Sequence, residues 1–304
     1  MCDTCGCGQG EPASVHVVPH HKDTRDHSLG HDHDHDHDHD DDHAVHDHDR
    51  TQGDYHQAVG HQNSVPTSQE SDGQSASHTR GVSLSVGESL LDKNDQLAEA
   101  NRRLFQEHGI LALNLLSSPG SGKTTLLERA LRHLCDRVHT VVVEGDQQTD
   151  RDAQRIAATG TPVAQVTTGL VCHLDAGMVA QAIQELPLQD CRLLVIENVG
   201  NLICPSLFDL GEGYKVVMMS VTEGEDKPIK YPHMFRGADL VLLNKTDLLP
   251  HLEFDLEQCE QYLNQVNPDV PVIKLSARTG EGMEAWYAWL DQRLATPAIA
   301  PAGS

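Results

Sequence analysis

The chain has 304 residues, 46 acidic against 22 basic, and a formal charge of −24. No cluster of Lys and Arg offers the phosphate neutralisation that a nucleic-acid binder needs. No apolar run approaches the roughly 18 residues that span a bilayer, and MCDTCGCGQG has neither the basic start nor the hydrophobic centre of a secretory leader. The expectation is a cytoplasmic protein without membrane insertion, whose eight cysteines are reduced thiols for metal or redox chemistry.

Residues 1–10 form a Cys/Gly head. Cys2, Cys5 and Cys7 lie in CxxCGC, and three thiolates with the terminal amine suit a sulfur/nitrogen square around Ni²⁺ more than Zn²⁺. A redox CxxC normally follows a strand and caps a helix, and nothing of that kind surrounds this one. Residues 11–80 form a polar tail with 15 of the 21 histidines and a single Phe/Tyr/Trp residue, Tyr55. With no apolar run to build a core, it is expected to be disordered. Within it His31, His33, His35, His37 and His39 alternate with Asp, which puts imidazoles on one side of an extended chain. That pattern suits weak nickel storage.

Residues 81–108 read as an amphipathic helical lead-in. Leu90, Leu97 and Leu104 recur seven apart beside Leu91, Ala98 and Phe105, and Gly109 is a stop. The stripe is expected to pack on the protein's own sheet, with recognition by a partner as the alternative. Residues 109–294 form the chemical domain, and 295–304 a flexible end. Apolar strand candidates are Ile110–Leu116, Val138–Glu144, Ala164–Val166, Leu193–Glu197, Val216–Ser220, Leu240–Leu243 and Val272–Leu275. Helical intervals fall near 123–136, 149–158, 173–185, 255–266 and 281–294. The alternation implies a doubly wound α/β fold with a mostly parallel sheet and ligands at the carboxyl ends of its strands.

The first strand runs into SSPGSGKTT. Gly120, Ser121, Gly122, Lys123, Thr124 and Thr125 follow a strand and open a helix, the setting in which backbone N–H groups and a helix N-terminus surround a polyphosphate. Lys123 would reach the β- and γ-phosphates and the Thr124 hydroxyl would bind Mg²⁺. The full P-loop pattern has Gly where this chain has Ser117. Asn244-Lys245-Thr246-Asp247 and Ser276-Ala277 each follow a later strand. A carboxylate at Asp247 accepts from the N1–H and 2-amino group of guanine, a donor pair that adenine lacks, so GTP and GDP are the expected nucleotides. The Lys245 stem would lie along the base, and the Ala277 N–H would bond the 6-oxo group. Glu197 of Glu197-Asn198-Val199-Gly200, and Asp146, are the further Mg²⁺-side candidates, with Gly200 sensing the γ-phosphate. Lys123, Thr124, Asp146 and Glu197 form the candidate catalytic set. No residue stands out as an arginine finger, which predicts slow unassisted hydrolysis.

Cys172-His173 precedes a helix, and Cys204 lies a few residues past Gly200. If the loops converge, two sulfurs and a nitrogen form a nickel or zinc site that feels the γ-phosphate. Cys135, Cys191 and Cys259 lie in or beside apolar elements and read as structural.

CxxCGC, SSPGSGKTT, EGDQQTDRD, TTGLVCHLDAG, IENVGNLICPSLFDLGE, SVTEGEDKPIKYPHMF and LLNKTDLLP together resemble the HypB family of nickel-insertion GTPases. The resemblance covers 110–294 and the head. It implies a SIMIBI-class P-loop fold and a nucleotide-dependent homodimer that delivers nickel to the large subunit of [NiFe]-hydrogenase. It matches Cys2, Cys5 and Cys7 to a tight nickel site, and Cys172, His173 and Cys204 to a second metal site. The implied partners are a HypA-type zinc accessory protein and, in some bacteria, a metal-binding prolyl isomerase. Some SIMIBI relatives have a second lysine early in the P-loop. Here Ser117 to Ser121 contain none, so a contact in trans would need another residue, for which Lys227 and Lys230 are candidates. Two alternatives stay open: a urease-type nickel GTPase, although its adjacent Cys-Pro-His is missing here, and a protein mainly for nickel storage.

Overall fold

The computed structural model describes residues 13–19 and 78–295, with side chains in the first helix described from Leu90 onward. The Cys2/Cys5/Cys7 head, the His31–His39 repeat and the end beyond Ala295 lie outside the described residues. Two compact units divide the chain, Asp23–Gly81 and the remainder. Of Asp23–Gly81 only the opening turn of a helix is described; the sheet and the helices packed on it belong to the remainder.

In chain order the elements are β1 Ser14–Val17, α1 His78–Glu107, β2 Leu111–Ser117, α2 Lys123–Leu134, β3 Thr140–Asp146, α3 Arg151–Ala157, β4 Val163–Thr167, α4 Ala176–Gln184, β5 Leu193–Glu197, β6 Tyr214–Ser220, α5 Lys227–Lys230, α6 Pro232–Arg236, β7 Leu240–Asn244, α7 Leu256–Val266, β8 Val272–Lys274 and α8 Met283–Ala295. They build one sheet in the order β1-β4-β3-β5-β2-β6-β7-β8. Every pairing is parallel except β1 on β4. This is the expected doubly wound α/β sheet. Its strands are apolar on both faces because helices cover both. Leu113, Leu115, Val142 and Val195 share a core with α2, α3 and α8. The alternate positions Ala112, Val141, Val143 and Ile196 pack with α1 and α4. Toward the other edge Val217, Met219, Val241 and Leu243 meet α6 and α7.

Three features depart from the sequence expectation. Residues 14–17, expected within the structureless tail, form β1, and Val18 beyond it is buried. The segment 227–236, for which no helix is expected, forms α5 and α6. In α1 the leucine stripe is not the buried face: Leu90 is 60% exposed, and Leu91 and Leu97 are exposed as well. The buried positions are Asn94, Ala98, Asn101 and Phe105, spaced four, three and four apart as one helical face requires.

The asparagines explain the shift. Asn94 Oδ1 accepts from the Ala176 N–H at 2.9 Å and its Nδ2 donates to Asp209 O at 2.8 Å. Asn101 Nδ2 donates to Ala176 O at 2.9 Å and Leu210 O at 3.0 Å. The helix thus satisfies backbone groups at the start of α4 and in the 209–212 loop, which would otherwise be buried unpaired. Gly211 makes that approach possible. It sits at φ +89°, and a Cβ there would lie 2.5 Å from Ala98 O and 2.7 Å from Asn101 Cβ. Gly211→Ala is expected to cost about 3 kcal/mol through backbone strain and overpacking. Thermal denaturation should show a fall of roughly 6–12 °C in Tm; an unchanged Tm would mean that α1 contributes little to the domain.

Candidate functional site

β2 ends in the loop that leads to α2. Gly122 caps this helix at φ 103°. The loop needs glycine there for a second reason: a Cβ would lie 2.6 Å from Asn244 Nδ2, which donates to Ser121 O at 2.8 Å. The loop after β2 and the Asn-Lys-Thr-Asp segment after β7 are therefore joined directly. Lys245 adds a second tie, its Nζ donating to Gly120 O at 2.7 Å from a left-handed backbone at φ 63°. Lys123 is buried and its Nζ donates to Ser117 Oγ at 2.8 Å. The serine at the position of the pattern's first glycine thus gives the buried lysine a partner.

Gly120, Ser121, Gly122, Lys123 and Lys245 line a cavity of about 530 Å³, with Glu144, Asp146, Asp152, Arg155 and Glu197 on its other walls. Thr124 Oγ1 donates to Glu197 Oε1 at 2.7 Å. Glu144 and Glu197 are register partners on adjacent strands, both buried. Burial pushes the Glu197 carboxyl up to about 6. Burial, then the neighbouring Glu197 charge, pushes Glu144 up to about 9. The Oε2 atoms of both glutamates are buried without a hydrogen-bond partner. Two orphaned carboxylate oxygens and a threonine hydroxyl beside a phosphate-type loop are the oxygen donors that a hard divalent cation would complete, so the residues fit Mg²⁺. Asp146 also lines this cavity, while its Oδ1 accepts from the Gln148 and Thr149 N–H groups at 2.8 and 2.7 Å. It therefore shapes the loop as well as facing the ligand space.

At the base end Ser276 Oγ donates to Asp247 Oδ1 at 2.6 Å and accepts from the Thr279 N–H at 3.0 Å, which fixes the carboxylate. The Ala277 N–H differs from the sequence reading: it donates to Asn244 Oδ1 at 2.9 Å and so is engaged within the protein. The two lysines considered for a contact in trans each have partners within the chain. Lys227 is buried and donates to Ser118 Oγ at 2.7 Å, and it pairs with Glu223. It thus braces its own P-loop. Lys230 is exposed and paired with Asp226 at 2.6 Å.

Cys172, His173 and Cys204 do converge: their candidate ligand atoms all lie within 4.8 Å of one another. His173 stacks on Phe208 with ring centroids 4.0 Å apart. Its Nδ1 is buried without a partner, and burial holds the imidazole below its usual range, which keeps it neutral as a ligand must be. α4 begins at Ala176, so Cys172 and His173 lie on the loop before it, while Cys204 opens a short 3₁₀ turn, Cys204–Leu207, after the Gly200 loop. Those loops are bonded to the nucleotide cavity. The Leu174 N–H donates to Asn198 Oδ1 at 3.1 Å, and Asn201 Nδ2 donates to Cys172 O at 3.3 Å. Cys191 and Cys259 are buried, and burial raises both thiols, Cys259 to about 12. Cys135 is exposed at the end of α2.

The sequence reading missed Glu144, Asp152 and Arg155 as residues around the P-loop. Arg155 is held by Glu128 at 2.6 Å and Asp152 at 3.0 Å. For Glu144 the available signal was an acid near a strand's carboxyl end, the same signal that picked out Glu197; Asp152 and Arg155, in α3, carried none.

Fold and site together define a P-loop nucleotide-binding protein with a Cys/Cys/His group on an adjoining loop whose side chains are close enough to share a metal ion. The family model of the CobW/HypB/UreG nucleotide-binding domain matches residues 111–274. Hydrogenase maturation factor HypB of Escherichia coli K12 is 57% identical over 223 residues, covering 72% of this chain and 77% of its own. The HypB of Cupriavidus necator H16 is 42% identical, over 95% of this chain and 88% of its own. The crystal structure of HypB from Helicobacter pylori in complex with nickel superposes with a TM-score of 0.64 at 39% identity, over 66% of this chain and 95% of that one. The chain belongs to the HypB family, in the SIMIBI class of P-loop GTPases. Among the described residues no helix is long and apolar enough to cross a membrane.

Proposed function

We propose that this chain is a GTP-hydrolysing nickel metallochaperone that assists insertion of nickel into the large subunit of [NiFe]-hydrogenase. The observation that carries the reading is the Leu174–Asn198 hydrogen bond. It joins the Cys172/His173/Cys204 loop to the segment after Glu197, so a change at the phosphate end reaches the metal ligands. Lys123 and the loop amides would hold the β- and γ-phosphates. Thr124, Glu197 and Asp146, with Glu144 beside them, would hold Mg²⁺, which supplies neutralisation of developing phosphate charge. The same step needs the proton on the raised carboxyls removed. Asp247, oriented by Ser276, would select guanine. Nickel is the cargo. Cys2, Cys5 and Cys7 would form the tight site, residues 11–80 a weak store, and a nucleotide-dependent homodimer would work with a HypA-type partner in the cytoplasm.

Nickel and zinc titrations with GDP and with a non-hydrolysable GTP analogue test the reading. Affinities at the internal cluster should differ by about 5–150-fold between the two nucleotides; superimposed curves would overturn it. Unassisted turnover should stay below about 1 s⁻¹, as positioning without an arginine finger implies. Asp247→Asn should lose GTP affinity by about 10²-fold and gain affinity for the xanthine nucleotide, whose 2-oxo group accepts from the new amide. Unchanged GTP affinity in a competition assay would remove the base-reading role.

A further inference from the structure

β1 runs antiparallel to β4, with Ser14 opposite Thr167 and Val17 opposite Ala164. The rest of the sheet is parallel, and its carboxyl ends carry both the nucleotide cavity and the cluster loops. The amino-terminal end of β1 therefore lies at that same face, beside the segment 168–172 that ends in Cys172. Ser14 and Thr167, as strand partners, are about 5 Å apart. The five residues from Thr167 to Cys172 span at most about 18 Å, and the Val171 N–H bonded to Thr168 O folds them shorter. Cys7 precedes Ser14 by seven residues, a reach of up to about 25 Å. The chain length between the strand and the thiols is therefore enough to meet the cluster.

We propose that β1 is a tether that anchors the CxxCGC head at the carboxyl face of the sheet, so that one chain passes a nickel ion between Cys2/Cys5/Cys7 and Cys172/His173/Cys204 without releasing it. The tether rests on the proposed function, in which both sets bind nickel. Exchange proceeds one ligand at a time. As a head Ni–S bond breaks, that thiolate takes up a proton, and as a cluster Ni–S bond forms, that thiol gives one up; no electron moves. The role of β1 follows from effective concentration. Without it, the first described element tied to the domain would be α1, some 71 residues beyond Cys7. Encounter probability falls roughly as the −3/2 power of linker length, about thirtyfold for that change. β1 can be released selectively. The Val18 N–H donates to Val163 O, and the alternation of antiparallel ladders makes His16 and Gln165 the next hydrogen-bonded pair. His16→Pro removes that ladder donor from an edge strand of four residues.

The test uses the reduced full chain and a short bifunctional maleimide, with cross-links mapped by mass spectrometry on an equal mixture of light and isotopically heavy chains. Wild type should give head-to-Cys172 and head-to-Cys204 links within single chains. The yield should fall about thirtyfold in His16→Pro. With β1 intact and a 20-residue Gly/Ser insertion after Glu11, it should fall about sevenfold. With one equivalent of nickel, movement between the sites should be first order and independent of protein concentration. Absent head-to-cluster links, links mostly between chains, yields indifferent to both variants, or a rate rising with protein concentration would each overturn the proposal. Separate nickel titrations of Cys2/Cys5/Cys7→Ala and Cys172→Ala chains keep the two readings apart. If one set does not bind nickel, the metallochaperone assignment falls and takes the handover with it. If both bind and the links are missing, the tether alone falls.

Discussion

Glu144→Gln should stabilise the nucleotide-free protein and flatten its pH dependence between pH 5 and 9. In the folded chain burial and the facing Glu197 hold this carboxyl up at about 9, against an ordinary 4.5. Above pH 4.5 the unfolded chain has lost the proton while the folded chain keeps it. The unfolded state therefore binds fewer protons, and stability falls by up to about 1.4 kcal/mol per pH unit. The folded protein is favoured most below the unfolded value, and this contribution is lost as pH rises toward the folded one. At pH 7 the penalty is at most about 3 kcal/mol. Asp146, Asp152 and Lys123 share the field, Lys123 opposing the rise. A glutamine keeps the shape with no charge to lose, so Tm at pH 8 should rise by several degrees, roughly 5–10 °C. The same change should weaken Mg²⁺-dependent nucleotide binding, because one of the two orphaned carboxylate oxygens is gone. Such an exchange of stability for ligand affinity is what a binding site under electrostatic stress produces. Denaturation curves at pH 5, 7 and 9 decide it: equal slopes in wild type and variant would mean that Glu144 is ionised in the folded apo protein.

The nucleotide loops were legible in the sequence because their chemistry fixes both residue type and position. A Gly-Lys-Thr between an apolar strand and a helix, and an Asn-Lys-x-Asp after a later strand, leave little freedom. The structure adds that the two are bonded through Asn244 and Ser121, which no spacing reveals. β1 was hidden for a different reason. Four residues in a polar segment carry no periodic signal, and their stability comes from a ladder with β4 about 150 positions away. The buried face of α1 is legible only in part: Ala98 and Phe105 of the expected stripe are buried, but hydrophobic periodicity also points to the exposed Leu90 and Leu97, whereas Asn94 and Asn101 are buried for the backbone groups they satisfy. Glu144 was passed over as the polar end of a strand. Only its pairing with Glu197 across the sheet shows that it faces the cavity.

Asn198 is where the nucleotide cavity and the Cys172/His173/Cys204 group meet, and Asn198→Ala should separate them. Its Oδ1 accepts from the Leu174 N–H at 3.1 Å and the Val199 N–H at 2.9 Å, and its Nδ2 donates to Asn114 Oδ1 at 3.3 Å. Asn114 in turn donates to Glu212 at 3.1 Å, and Glu212 accepts from the Leu210 N–H at 2.7 Å. A buried polar chain therefore runs from the segment after Glu197, through β2, to the loop on which Asn94 and Asn101 close. Truncation leaves buried donors unpaired at about 1–3 kcal/mol each, so Tm should fall by roughly 5–10 °C. The lost stability alone would not distinguish a joint from a brick in the core. The distinguishing readout is the ratio of nickel affinities at the Cys172 cluster under GDP and under a GTP analogue. Wild type should show a ratio of about 5–150, and Asn198→Ala a ratio near one, with GTP itself still bound through Lys123 and Asp247. Asn114→Ala supplies the control, because it unsettles the same buried chain without touching the Leu174 bond. If both variants lose equal stability but only Asn198→Ala loses the ratio, the coupling runs through that amide. If the ratio survives in Asn198→Ala, the phosphate end and the metal ligands communicate by another route, and the Leu174 contact is structural only.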